Sequence, residues 1–146
     1  MQIALVKAAL RDAVIAAEIP NLDAYAYVPD DPSVPCFYPG EVTLDPLQTF
    51  GPGSDNADIV CRVLVSAGDD ADGQALLDQY LSRSGPYSVR AAILAARGAP
   101  GELALGGAAD DLVITKIDGY RMIPTPNQEL LYGAQITVRI IGSEEA

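Results

Sequence analysis

Between residues 2 and about 18, Ile3, Val6, Leu10, Ala13, Val14 and Ala17 recur at three- and four-residue intervals, while Lys7, Arg11 and Glu18 share another face. That period predicts an amphipathic helix, which Pro20 and Asn21 stop. The short aromatic stretch Ala24-Tyr25-Ala26-Tyr27-Val28 follows, and Pro29, Pro32, Pro35 and Pro39 then punctuate a region that can hold only short or edge strands. Cys36-Phe37-Tyr38 and Glu41-Val42-Thr43-Leu44 are its candidates. Residues 45–57 carry Pro46, Gly51, Pro52, Gly53, Ser54, Asp55 and Asn56, and so predict a loop of about a dozen residues, a length that usually signals function.

From 58 to 66 the pattern changes to alternation within an almost unbroken apolar run. Ile59, Cys61, Val63 and Val65 lie on one face and Val60, Arg62 and Leu64 on the other, as in a central strand covered on both sides. Asp69, Asp70 and Asp72 precede Leu76, Leu77, Tyr80 and Leu81, where acidic groups cap and complement the start of a second helix. Ser84-Gly85-Pro86 breaks it, and Pro86 serves as the first residue of a third helix that turns Val89, Ala92, Ile93 and Ala96 inward until Gly98 and Pro100 end it. Leu112, Val113, Ile114 and Ile117 mark a strand over 111–120. Ala134, Ile136, Val138 and Ile140 alternate with Gln135, Thr137 and Arg139 in another over 130–141, its antiparallel neighbour across 119–128. The order predicts one α+β domain over residues 1–146, with a small mixed, mostly antiparallel sheet, an N-terminal helix and a central helix pair packed on it.

Composition narrows the chemistry. With 49% hydrophobic and 20% charged residues in 146, the chain has the means to fold around a core. Twenty Asp and Glu against nine Lys and Arg give −11, which repels a phosphate backbone and disfavours nucleic-acid binding. The sequence has no histidine, which excludes Ser-His-Asp and Cys-His hydrolases and most zinc sites. Cys36 and Cys61 are too sparse for a disulfide scaffold and read as packed free thiols. The start lacks a basic region ahead of an apolar one, and no stretch approaches the ~20 apolar residues of a membrane span, so a soluble, unexported protein is expected.

The remaining constellations are weak. Asp69-Asp70-Ala71-Asp72-Gly73 suggests a calcium loop, but with Gly73 at its sixth position the first is Gly68 and the twelfth Gln79. Asp30-Asp31 and Asp110-Asp111 are adjacent carboxylates that a strand would send to opposite faces, and they read as solvated turn residues. Gly106-Gly107 and Gly51-Pro52-Gly53 lack the neighbours of a phosphate or dinucleotide loop and read as turns. Tyr87, Tyr120 and Tyr132 suit core or subunit contacts. No catalytic, cofactor-binding or metal-ligating residue is nominated, and the reading leans toward assembly.

Three segments carry a family resemblance: Asp58-Ile59-Val60-Cys61-Arg62-Val63-Leu64-Val65-Ser66, Gln74-Ala75-Leu76-Leu77-Asp78-Gln79-Tyr80-Leu81, and Ser84-Gly85-Pro86-Tyr87-Ser88-Val89-Arg90-Ala91-Ala92-Ile93. With the N-terminal helix, Leu105-Gly106-Gly107 ahead of Asp111-Leu112, and Tyr132-Gly133-Ala134 opening the last strand, they resemble the tail terminator (tail completion) proteins of long-tailed, non-contractile bacteriophages. The likeness spans about 58–141, and neither the proline-rich stretch 29–39 nor residues 98–101 belongs to it. It implies a virion protein, assembled in the host cytoplasm, that forms a hexameric ring on the finished tail tube. Such a ring ends polymerisation and presents the tail to the head's connector, with no enzymatic activity and no cofactor. A head-to-tail connector or head-closure protein is the neighbouring alternative; an acidic metal-binding domain or carboxylate-based hydrolase is the alternative from another class.

On this reading Leu47 and Phe50, large apolar groups in a glycine-rich loop, are candidates for a subunit or tube interface. Asp69, Asp70 and Asp72 are candidates for a channel that must let DNA pass without holding it.

Overall fold

The computed structural model describes residues 3–20, 22–29, 35–45, 54–65, 70–97, 102–124 and 130–143. Its elements are α1 (Ile3–Ala16), β1 (Asp23–Ala24), β2 (Cys36–Asp45), β3 (Ser54–Val65), α2 (Asp70–Leu81), α3 (Val89–Ala95), a 3-10 turn (Leu105–Gly107), β4 (Asp111–Pro124) and β5 (Leu130–Ser143). The strands form one sheet in the order β1-β2-β3-β5-β4, antiparallel except for the β1–β2 pair. This is the expected α+β class, with the N-terminal helix and the central helix pair on the sheet. No helix among the described residues is long and apolar enough to cross a membrane.

One face of the sheet carries the core. Val6, Leu10 and Val14 of α1, Leu77 and Tyr80 of α2, and Val89, Ala92 and Ile93 of α3 pack on Phe37, Ile59, Cys61, Val63, Ile136, Val138 and Ile140. The strand residues are every second one along β3 and β5, so the period-two pattern delivers them to a single face. On the other face, among the described residues, a small hydrophobic cluster of Cys36, Tyr38 and Leu64 is buried, with Tyr25 against it. The expectation that β3 is covered on both sides therefore holds only at its Leu64 end. Cys36 and Cys61 are both free and buried.

Several boundaries differ from expectation, for reasons of pairing and capping. The two short strands over 36–44 are one strand that absorbs Pro39 and Gly40 in a bulge between Pro39 and Val42. The loop over 45–57 is shorter than its composition suggests. Asp45 pairs with Asn56, and residues 54–57 extend β3 against β5, with Ser54 opposite Ser143. Pairing with β5, joined at Asn56 by β2, outweighs the poor strand propensity of Ser54, Asp55 and Asn56. β4 and β5 likewise run beyond 120 and 141, to the pair Pro124–Leu130 and to Ser143. Helix α3 starts at Val89 rather than Pro86, because the Ser88 side chain accepts a hydrogen bond from the Ala91 amide and supplies the cap.

Candidate association surfaces

Helix α1 buries one apolar stripe, Val6, Leu10 and Val14, in the core. On its outer side Leu5 is 52% and Ile15 56% exposed, with Asp12, paired with Arg11, between them. Leu5, Ala8, Ala9 and Asp12 line an open groove of about 360 Å³ whose far wall is Leu105, Gly106, Gly107 and Ala108. That wall is a tight reversal in which Leu105 (φ 55°), Gly106 (φ 65°) and Gly107 (φ 103°) are successively left-handed. Glycine takes such angles freely, whereas leucine does so at a cost of roughly 1–2 kcal/mol. Burial of the Leu105 side chain and its amide hydrogen bond to the Ala96 carbonyl, 2.7 Å, hold it there. The Ala104–Ala109 bridge closes the reversal.

The sheet face away from the helices is polar. By register, Thr43, Asp58, Arg139 and Val113 form one cross-strand row, and Tyr38, Arg62, Gln135 and Asp118 another. Arg139 reaches the Asp58 carboxylate at 3.0 Å, Arg62 reaches Glu41 at 3.2 Å, and Lys116 reaches Asp118 at 3.7 Å. Burial pushes the Tyr38 hydroxyl above its ordinary range, against the opposing pull of Arg62. Three of the nine cations of an acidic chain are thus spent on paired positions of one face.

Both edges of the sheet are open among the described residues. At one, β1 pairs only with Cys36 and Phe37 and leaves β2 bare from Tyr38 to Asp45, with Glu41 and Leu44 exposed. At the other, the 14-residue β4 pairs only with β5 and is open from Val113 onward, with Val113 and Lys116 exposed and bulges between Ile114 and Lys116 and between Asp118 and Arg121; at its start Leu112 is buried and its amide donates to the Asp111 carboxylate at 2.8 Å. Unpaired edges of this kind are sites where another strand can add.

The residues nominated from sequence lie elsewhere. Leu47, Phe50 and Asp69 fall outside the described residues. Asp70 and Asp72 lie in the first turn of α2, which begins at Asp70, where acidic residues are expected to complement the start of the second helix. Asp111 is a strand residue, not a solvated turn residue. It opens β4 and receives both Arg97 contacts, at 2.9 and 3.3 Å, so that Arg97 holds its carboxyl below the usual range. Among the described residues no three Asp, Glu or Cys side chains gather where a metal ion could sit. Sequence reasoning missed the exposure of Leu5 and Ile15 on α1 and the open edge of β4, whereas the prolines mark the region of β2 as short or edge strands and the outer side of β2 is bare from Tyr38 to Asp45.

No family model matches the chain, and no curated protein sequence matches it.

Proposed function

We propose that this chain is a structural virion protein: a ring-forming subunit that caps a phage tail tube, ends its polymerisation and forms the tail side of the head-tail joint. The observation that carries this reading is the presence of unlike exposed surfaces on one small fold: two non-equivalent sheet edges and the outer side of α1, where Leu5 is exposed beside a groove. A cyclic ring joins subunits head to tail, so each must offer two different patches to its neighbours, and capping a tube needs a third. The excess of acid suits a ring through which DNA passes, and Asp69, Asp70 and Asp72 remain the proposed channel-facing carboxylates.

The test mixes the purified protein with polymerising tail tube protein and measures tube length by negative-stain microscopy. Tubes of limited length carrying a ring at one end are the expected result, and Leu5→Ser with Ile15→Ser should weaken capping while leaving the melting temperature nearly unchanged. Tubes that grow as long as they do without the protein would overturn the reading. A ring that binds connector protein and ignores tubes would move it to head closure.

A further inference from the structure

Building on that ring reading, we infer that copies of this chain join through their sheets, the outer edge of β4 in one copy pairing antiparallel with the outer edge of β2 in the next. Strand direction permits it without any change of face. β2, β3, β5 and β4 alternate in direction, so repeating the sheet side by side sets β4 antiparallel to the neighbour's β2. The helices of all copies then share one side and the paired charges the other.

Register follows from the faces. Val113 lies beside Arg139 and Thr43 beside Asp58, both on the face away from the helices, whereas Leu112 and Leu44 lie beside Ile140 and Ala57 on the core face. Placing Val113 opposite Thr43 sets Leu112 opposite Leu44, and keeps every pair on a common face.

The same register brings the β4 bulge at Thr115 and Lys116 opposite Glu41. Both side chains are well exposed, Lys116 at 68% and Glu41 at 75%, and opposite in charge; the seam would exchange their partners within the chain, Asp118 at 3.7 Å and Arg62 at 3.2 Å, for each other. This complementarity singles out a second copy as the occupant, because each copy carries both halves. Self-pairing of β4 would leave both β2 edges bare, with Glu41 and Leu44 still in water.

Directly opposed residues of an antiparallel pair lie within disulfide reach, so the double variant Thr43→Cys, Val113→Cys tests the contact. Cys36 and Cys61 stay in place because they are buried. Under mild oxidation the double variant should give a ladder of covalent multiples ending at the ring. An equal mixture of the two single variants should give dimers only, and each single variant alone should give none. In parallel, Glu41→Lys should weaken association at least tenfold, and adding Lys116→Glu should restore it, with circular dichroism confirming that each variant is folded.

Rings seen by native mass spectrometry without a ladder would overturn the edge contact and leave the ring reading standing. Covalent dimers from Val113→Cys alone would overturn it in favour of β4 self-pairing. A chain that is monomeric at every concentration and does not cross-link would also overturn it, and the tube-length experiment then judges the ring reading separately.

Discussion

A Cβ built on Gly40 would lie 2.9 Å from the carbonyl oxygen of Val60, on the neighbouring strand. Gly40 sits in the β2 bulge, where the backbones of β2 and β3 close on each other and the Arg62 guanidinium passes 3.4 Å from the same point. Backbone cannot yield as a flexible side chain can. Gly40→Ala is therefore expected to destabilise the fold by about 1–3 kcal/mol, the range typical of overpacking, as read by chemical denaturation. An unchanged midpoint would show that the bulge relaxes freely.

Tyr80 presents the opposite case. Its side chain is fully buried, its hydroxyl has no hydrogen-bond partner among the described residues, and burial, with Tyr87 and Cys36 nearby, pushes its ionisation up to about 12. A buried hydroxyl without a partner costs stability, so Tyr80→Phe should leave the protein as stable or up to about 1–3 kcal/mol more stable. A loss above about 1 kcal/mol in denaturant melts would reveal a partner for the hydroxyl.

Ser88 joins the two central helices. Its hydroxyl accepts from the Ala91 amide at 2.9 Å and donates to the Ser82 carbonyl, while the Ser82 hydroxyl lies 2.8 Å from the Gln79 carbonyl and 2.9 Å from that of Ser84 and donates its one proton between them. Ser88→Ala removes a cap and orphans groups at a buried position, and should cost about 1–2 kcal/mol in thermal unfolding. Ser88→Asp keeps an acceptor for the cap but loses the donor to Ser82, and should fall between the two.

The thiols should be silent in the native protein. Burial, reinforced by Asp23, raises Cys36 to about 12, and burial alone raises Cys61 to about 12, so neither is a thiolate near neutral pH. A thiol reagent at pH 8 should label neither cysteine until denaturant is added, and then both. Labelling of the folded chain at the same rate as the unfolded one would contradict this.

Acid should loosen the link between α3 and β4. Hydrogen bonding from Arg97 lowers the Asp111 carboxyl below its ordinary range, and a group depressed in the folded state contributes stability above its unfolded value and loses it as pH falls through the folded one. Both side chains are well exposed, so the contribution is small. Arg97→Ala should move the Asp111 titration upward, as followed by carboxyl NMR chemical shifts, with little change in stability at neutral pH.

Elements whose signal is carried within one segment are legible in the order of residues alone. The three- and four-residue spacing of Val6, Leu10 and Val14 marks α1 because a helix repeats every 3.6 residues. The alternation of Ala134, Ile136, Val138 and Ile140 marks β5 because a strand repeats every two. Those periods, with the helix pair broken at Ser84-Gly85-Pro86, were enough for the α+β class and the antiparallel β4–β5 pair. Other features depend on partners far along the chain and emerge only once the fold brings them together. Ser54, Asp55 and Asn56 become strand because β5 offers them hydrogen bonds, and β2 runs through Pro39 and Gly40 because β3 lies alongside. Asp111 becomes an anchor because the fold carries Arg97 to it, and Leu105 is held left-handed by burial and the Ala96 carbonyl. The association surfaces are decided the same way. Leu5 and Ile15 differ from Leu10 only in what packs over them, and an edge strand differs from a central one only in having one neighbour instead of two.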